Sequence, residues 1–270
     1  AELILPGRSK EEVFLSTYIC HPSMANNELS GPVVTAALAK WLVSLKDREY
    51  TYRVIFIPET IGSIVYLSMN YKHLKKYVIA GFNITCVGDD RCYSYLPSRD
   101  GETLSDKVAL HILGNIDHNF KRYTWLDRGS DERQYCSPKY NLPVGCLTNT
   151  SITKTDEYHS SLDNLDNLSV DGLLDNLDVY QNIIYILSNN KTFITLKGYG
   201  EPFLTKYDLY PTLSNIKLDI NNNDLRSALL WVLNYSDGTN DLLKISEMSK
   251  IKFSNICIAS KVARLNKLIK

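Results

Sequence analysis

Short apolar runs alternate with amphipathic stretches along the first 190 residues of the chain. The runs at 13–20, 52–58 and 77–87 predict buried strands, because strands that are covered on both faces are apolar throughout. Helical periodicity follows the first two runs at 33–45 and 64–71. Strands and helices that alternate with short connections predict a mostly parallel sheet with helices on both faces.

Weaker patterns predict the remaining elements of this α/β region. They are short strands over 2–5, 123–126 and 142–147, helices over 104–113 and 170–187, and a loop over 91–101. The polar segments 127–134 and 155–163 have no periodicity and are expected to be loops. Loops that follow core strands are common positions for functional side chains.

The composition changes to Gly, Pro and Tyr at 197–211, which predicts a linker. Three segments beyond it have helical periodicity: 224–235, 242–249 and 253–268. Three short helices in about seventy residues favour a helix-turn-helix or winged-helix unit. We therefore predict an α/β domain over 1–196, then the linker and a small winged-helix-like domain over 197–270.

Composition restricts the class of protein. Hydrophobic residues make up 44% and charged residues 22% of the 270 residues, as in globular proteins. Thirty basic and thirty acidic residues cancel, so bulk charge favours neither a nucleic-acid nor a membrane partner. No apolar stretch approaches the ~20 residues of a membrane span. Six cysteines without CxxC spacing predict reduced thiols in a cytoplasmic protein.

Three residues are candidates for metal chemistry. His21 follows the first buried strand, Glu59 follows the next, and His159 lies in a late polar loop. Parallel strands bring their carboxyl ends to one crevice. Neutral imidazoles suit a zinc-like ion, and a glutamate beside it suits a general base. The alternatives are a packing role for His21, a helix-terminal carboxylate at Glu59, and a hydrogen bond from His159 to local acids.

Five motifs occur in an order that resembles the zinc-dependent aminopeptidase family, which also contains the glutaminyl cyclases. They are CHPSMANNELSG (20–31), IPETIGS (57–63), VIAGFNITCVG (78–88), RGSDERQY (128–135) and EYHSSLDNLDNLS (157–169). The resemblance covers roughly residues 3–187. It implies a zinc-exopeptidase-like (phosphorylase/hydrolase-like) three-layer αβα domain with a mixed, mainly parallel sheet. It also implies that His21 and His159 bind metal and that Glu59 is the general base.

The sequence departs from that family at three ligand positions. Asn27, Thr60 and Thr85 stand where the family has carboxylates. Neutral oxygens do not neutralise two adjacent dications, so a two-zinc site is not expected. The expectation is one zinc ion held by the two histidines with Asn27, Asp131 or water, or no ion at all.

Four further residues are predicted to contact a substrate: Glu28, Asp90, Arg133 and Tyr158. Segment 128–133 resembles a substrate-side loop of the family. The alternative for this segment is a solvated, self-paired charge cluster. Asp90 follows a strand end, so it either lines the crevice or belongs to an exposed turn.

The sequences of these motifs resemble a bacterial group of aminopeptidase-like domain proteins, associated with polysaccharide biosynthesis, more closely than they resemble the zinc aminopeptidases. Those proteins have a C-terminal winged-helix region, and the resemblance implies additional N-terminal sequence. The last helix carries a basic stripe of Lys261, Arg264, Lys267 and Lys270. From residue 198 onward ten basic residues face seven acidic ones, which is a weaker bias than DNA-binding domains usually show. A packing surface is therefore favoured over nucleic-acid binding.

The expected function is a metal-dependent (zinc) hydrolase of peptide or amide bonds, linked to polysaccharide biosynthesis. Its expected substrate is a small peptide-like or amino-sugar compound, without a membrane partner. Association into homo-oligomers is left open. The alternative is a non-hydrolytic binding or scaffold protein that kept the fold and lost its metal site. A DNA-binding regulator is a third hypothesis, and it rests only on the terminal helices.

Overall fold

The computed structural model describes residues 1–150, 155–207, 209, 220 and 222–270. The predicted linker therefore lies partly outside the described residues. The chain forms two compact units, Ala1–Ser188 and Asn189–Lys270. Within the described ranges, no helix combines the length and the apolar character needed to cross a membrane.

The first unit is built on a seven-stranded sheet. Its strands are β1 (Glu2–Leu5), β2 (Glu12–Tyr18), β3 (Thr51–Ile57), β4 (Val78–Ile84), β5 (Ser94–Leu96), β6 (Lys121–Arg122) and β7 (Val144–Thr148). The spatial order is β1-β3-β2-β4-β7-β5-β6. The central strands β3, β2, β4 and β7 are parallel, whereas β1 and β5 run antiparallel to their central neighbours. The predicted mixed, mainly parallel α/β fold is confirmed.

The helices of the first unit follow the strands. They are α1 (Ser30–Ser44), α2 (Ile61–Tyr77), α3 (Leu104–Ile116), α4 (Glu132–Tyr135) and α5 (Val170–Asn189). A π-helical turn, Ala25–Leu29, leads directly into α1. Helical structure therefore begins eight residues earlier than the apolar pattern predicted. Most of these added residues belong to the polar segment that follows β2.

Two short elements differ from the sequence prediction. Segment 91–101, predicted as a loop, contains β5, which pairs with β7 and buries Tyr95 with its hydroxyl donating to Asp106. The strand predicted over 123–126 was wrong. There the backbone N–H of Thr124 donates to Asp127 at 2.9 Å, and this local capping bond starts a 3₁₀ turn over Trp125–Asp127.

The register of the central strands brings their carboxyl ends to one edge of the sheet. Tyr18 at the end of β2 lies opposite Ile57 at the end of β3. The backbone N–H of Ile19 donates to the carbonyl oxygen of Ile57 at 3.0 Å and extends this ladder. All seven residues of β2 are buried. The residues that follow β2 and β3 therefore leave a rigid core side by side.

A buried charge cluster lies near the amino ends of the same strands. The guanidinium of Arg53 contacts both carboxylate oxygens of Glu12 at 2.6 and 3.0 Å. Their side chains are only 6% and 4% exposed. Glu12 also lies 2.7 Å from His73 Nε2, and Arg53 reaches Glu2 at 2.5 Å. Each buried charge in this cluster is thus paired.

In its described residues, the second unit combines a two-stranded sheet with three α-helices and a 3₁₀ turn at Leu204–Tyr207. Its elements are β8 (Thr192–Ile194), α6 (Asn222–Tyr235), β9 (Asp237–Asp241), α7 (Leu242–Ser249) and α8 (Phe253–Leu265). β8 pairs antiparallel with β9. Residues 189–196, predicted as part of the first domain, therefore contribute a strand to the second unit. Asp241 caps α7 by accepting the Lys244 N–H. This arrangement is a winged-helix unit.

Candidate metal centre

His21 lies three residues beyond the end of β2 and is held by one carboxylate. Glu28 Oε2 is 2.8 Å from the His21 backbone nitrogen and 3.1 Å from Nδ1. Glu28 lies in the π-helical turn after β2 and is buried. Because a carboxylate accepts hydrogen bonds, this contact assigns the ring proton to Nδ1 and leaves the Nε2 lone pair available to a ligand. Glu28, predicted to contact substrate, is bonded to His21.

Glu59 faces the available nitrogen of His21. Its Oε2 lies 3.5 Å from His21 Nε2, and the two side chains are 19% and 20% exposed. Glu59 is the first residue of a tight turn in which the Ile61 N–H donates to the Glu59 carbonyl at 2.6 Å. Thr60 at the centre has φ 60° and ψ −67°, a strained γ-turn geometry. The base candidate thus projects from a strained turn at the end of β3.

Residues of segment 128–133 hold this turn. Asp131 Oδ1 accepts the backbone N–H of Thr60 and the hydroxyl of Ser63, both at 2.7 Å. Arg133 donates to the Thr60 hydroxyl at 2.7 Å. Asp131 is completely buried, and its Oδ2 has no hydrogen-bond partner among the described residues. Burial, followed by the charges of Glu59 and Glu132, raises the pKa of Asp131 to about 6, although the two hydrogen bonds oppose this rise.

His159 lies beside His21. The centres of the two rings are 5.3 Å apart, and the ring of Tyr158 stacks on His159 at 3.9 Å. The loop that carries them is tied to the turn after β2, because Asp163 accepts the backbone N–H groups of Asn26 at 2.7 Å and Asn27 at 3.0 Å. This anchoring brings the two predicted metal histidines together.

Two of the three positions that lack the family carboxylates, Asn27 and Thr85, form a neutral hydrogen-bonded group. Asn27 Nδ2 donates to the Tyr18 hydroxyl at 3.1 Å, and Thr85 Oγ1 donates to the same oxygen at 2.5 Å. Asn27 is buried, and within the described residues its Oδ1 has no hydrogen-bond partner. Burial raises the pKa of Tyr18 well above its ordinary value, so this group is uncharged at neutral pH. The donor set therefore does not fit two adjacent dications.

A single ion fits the donors near His21. Among the described residues, Cys20, His21 and Glu59 each offer a ligand atom, and these atoms lie within 4.8 Å of one another. Asp131 and His159, both predicted as ligands, are not members of this cluster. Burial raises the pKa of Cys20, and the charges of Glu28 and Glu59 raise it further, so the metal-free residue is a thiol.

Cys20 was missed as a site residue because the six cysteines were interpreted together as reduced thiols. It is exposed in the structure. Its place at a strand end, next to a candidate metal histidine, was the available signal. The role of Glu28 in orienting His21 was also missed, since only the helical turn over 25–29 brings its carboxylate back to His21.

A small open cleft includes Asn27, Arg91, Glu157 and Tyr158 in its lining, and Tyr158 is the chain neighbour of His159. Within this lining, Arg91 contacts Glu157 at 3.4 Å. Asp90, predicted to contact substrate, is exposed.

Comparison with known sequences matches both units to families. Residues 1–190 match the family described as "Domain of unknown function (DUF4910)", and residues 191–270 match a family described as "winged helix-turn-helix". A Clostridium acetobutylicum protein named "Putative polysaccharide biosynthesis protein with aminopeptidase-like domain" is 40% identical over 262 residues. That match covers 96% of this chain and 58% of the relative. The chain thus spans little more than half the length of this relative.

Comparison with solved structures supports the same fold. A crystal structure of a "putative peptidase" from Clostridium acetobutylicum is 37% identical, with a TM-score of 0.89, and the match covers all of this chain and 59% of that one. An aminopeptidase from Aneurinibacillus sp. strain AM-1 gives a TM-score of 0.59 at 17% identity, covering 68% of this chain and 47% of that one. BSAP, a zinc aminopeptidase from Bacillus subtilis, gives 0.58 at 17% identity, covering 69% and 49%. The aminopeptidase-like fold and the winged-helix unit predicted from the sequence are confirmed.

Proposed function

The chain belongs to the family described as domain of unknown function DUF4910, and from this premise we propose that its first unit is a metal-dependent hydrolase of amide bonds. The observation that carries the proposal is the placement of Glu59 Oε2 3.5 Å from His21 Nε2. Glu28 fixes the ring of His21, and the ring of His159 lies beside it. This is a geometry in which a carboxylate can serve as base next to an ion held by imidazoles.

His21 and His159 are the residues that would hold one zinc ion. When bound, zinc polarises the substrate carbonyl and lowers the pKa of water, which makes water a nucleophile at neutral pH. Glu59 accepts one proton from the attacking water and donates it to the leaving nitrogen. One C–N bond is broken, and the products are a carboxylic acid and an amine.

The strained turn supports this role of Glu59. Asp131 and Arg133 both bond Thr60, so the backbone next to Glu59 is held in a conformation that a threonine rarely adopts. A base must be held within hydrogen-bond reach of the proton that it takes. We infer that these contacts keep the carboxylate of Glu59 facing His21.

The substrate class follows from the surroundings of the histidines. The cleft beside Tyr158 has both charges in its lining, from Arg91 and Glu157, and an aromatic side chain in Tyr158 itself. We propose a small peptide-like or aminoacylated amino-sugar substrate, and the name of the Clostridium relative supports a link to polysaccharide biosynthesis. The six free cysteines support a reducing, cytoplasmic setting. We propose neither a nucleic-acid nor a membrane partner.

The test is hydrolysis by the full chain loaded with zinc, on a panel of aminoacyl anilides and aminoacylated amino sugars. Glu59→Gln should lower kcat on any substrate found by about 10²–10⁴-fold. Zinc content and circular dichroism should not change. Glu102→Gln, at an exposed position, is the matched control and should keep full activity. Equal activity of Glu59→Gln and wild type, or no hydrolysis across the panel by zinc-loaded protein, would instead favour a binding or scaffold role.

A further inference from the structure

We propose that Cys20 is a thiolate ligand of the metal ion, an inference that rests on the proposed metal site and adds a ligand type to it. Together with a carboxylate oxygen of Glu59, its sulfur and the imidazole of His21 form a set of ligand atoms within 4.8 Å of one another. Ligand atoms around tetrahedral zinc are about 3.5 Å apart, as bonds of about 2.0–2.3 Å require. The atoms of this cluster, which lie up to 4.8 Å apart, must therefore draw together to enclose an ion.

Charge is the physical reason for a thiolate here. The side chains of Asn27, Thr60 and Thr85 are neutral, and those of Asn27 and Thr85 are bonded to Tyr18. Two imidazoles and water would supply no negatively charged ligand, and the carboxylate of Glu59 beside them is the proposed base. A cysteine thiolate supplies one negative charge and is among the preferred zinc ligands. Glu59 is then free to act as the base.

The backbone around Cys20 suits a bound thiolate. The N–H of Glu59 donates to Cys20 Sγ at 3.2 Å across the ends of β2 and β3. Such a donor stabilises negative charge on the sulfur. The same bond joins the proposed ligand to the residue that carries the base. Upon binding, the ion displaces the thiol proton, which passes to the solvent.

Cys20 differs from the other cysteines in exposure. It is exposed, whereas four of the others are buried and Cys92 is half-buried. An ion can reach its sulfur without any opening of the core. Cys92 lies outside the cluster around His21, so it provides a matched control for both substitution and chemical modification.

The test is a titration of the reduced, metal-free full chain with Co²⁺ in the absence of oxygen. Wild type and Cys92→Ser should each bind one equivalent and show a near-ultraviolet thiolate-to-cobalt charge-transfer band. Cys20→Ser should lack that band while its visible cobalt spectrum remains, with affinity at least about tenfold weaker. Retention of the charge-transfer band in Cys20→Ser would overturn the proposal.

Two further outcomes separate this inference from the proposed function. If wild type binds one Co²⁺ without a thiolate band, Cys20 is not a ligand, although the metal site stands. If wild type binds no Co²⁺ and no Zn²⁺, both proposals fail.

An alkylation experiment on the wild-type chain completes the test. Zn²⁺ should slow the alkylation of Cys20 by iodoacetamide at least about tenfold and leave the alkylation rate of Cys92 unchanged. Equal alkylation of Cys20 with and without Zn²⁺ would contradict thiolate ligation.

Discussion

The buried carboxylate of Asp131 gives a prediction that can be worked out in free energy. Burial raises its pKa to about 6, against an ordinary value of 3.8. The folded protein therefore holds this proton more tightly than the unfolded chain does. As the pH rises from 3.8 toward 6, the unfolded chain ionises while folded Asp131 stays protonated. The unfolding free energy consequently falls, by a total of about 3 kcal/mol above pH 6.

Asp131→Asn should remove this pH dependence. An asparagine can still accept the Thr60 N–H and the Ser63 hydroxyl through its Oδ1, but it has no charge to desolvate. About 2 of the 3 kcal/mol fall between pH 4.5 and 7.5. The unfolding free energy of the variant relative to wild type should therefore rise by about 2 kcal/mol between these pH values.

Urea unfolding of metal-free protein, followed by tryptophan fluorescence, measures this difference. A Trp231→Phe background restricts the signal to Trp41 and Trp125 of the first unit. Asp90→Asn, at an exposed position, is the control and should show no pH-dependent difference. If Asp131→Asn and wild type differ by the same free energy at pH 4.5 and 7.5, the carboxylate does not titrate in this range and the reasoning is wrong.

Three other substitutions test separate parts of the structure. Glu28→Gln should weaken zinc binding about 10–100-fold in competition with a chelating dye, because the charged partner of His21 is lost; an unchanged Kd would contradict the orienting role. Gly31→Ala should lower the unfolding free energy by about 2 kcal/mol, since its Cβ would lie 2.5 Å from a backbone oxygen. The matched substitution Gly114→Ala has open space around its Cβ and should raise the unfolding free energy by about 0.5–1 kcal/mol. Equal changes in the unfolding free energy of the two variants would refute this packing argument. Glu12→Gln should lower the unfolding free energy by about 3 kcal/mol in the same denaturation assay, because the buried guanidinium of Arg53 then loses its negatively charged partner. A decrease below 1 kcal/mol would show that water replaces the carboxylate.

The central sheet was predictable because its strands are buried on both faces. β2, β3 and β4 are buried along nearly their whole length, and their shortness and their content of β-branched and aromatic residues identify such runs as strands. Weaker elements depended on contacts distant in sequence. β5 has only three residues, and it is fixed by pairing with β7 some fifty residues later. No local pattern could show that pairing.

The candidate site was predictable at the strand ends and less so in the loops. His21 and Glu59 follow adjacent parallel strands, so the topology places them together. The function of Asp131 could not be deduced from its motif position, because it depends on a hydrogen bond to Thr60 across 71 residues. Cys20 could be identified as a candidate ligand only from the structure, in which its sulfur accepts the Glu59 N–H. Such contacts arise from the packing of loops against one another, which sequence periodicity does not encode.

The central claim is that one metal ion binds at His21, and its most direct test is the metal content of the purified chain. Elemental analysis after equilibration with zinc should give one ion per chain for wild type. His21→Asn, which keeps a polar side chain at the half-buried position, should give less than one tenth of that amount with an unchanged circular dichroism spectrum. Two ions per chain, or an equal zinc content in His21→Asn and wild type, would contradict the account.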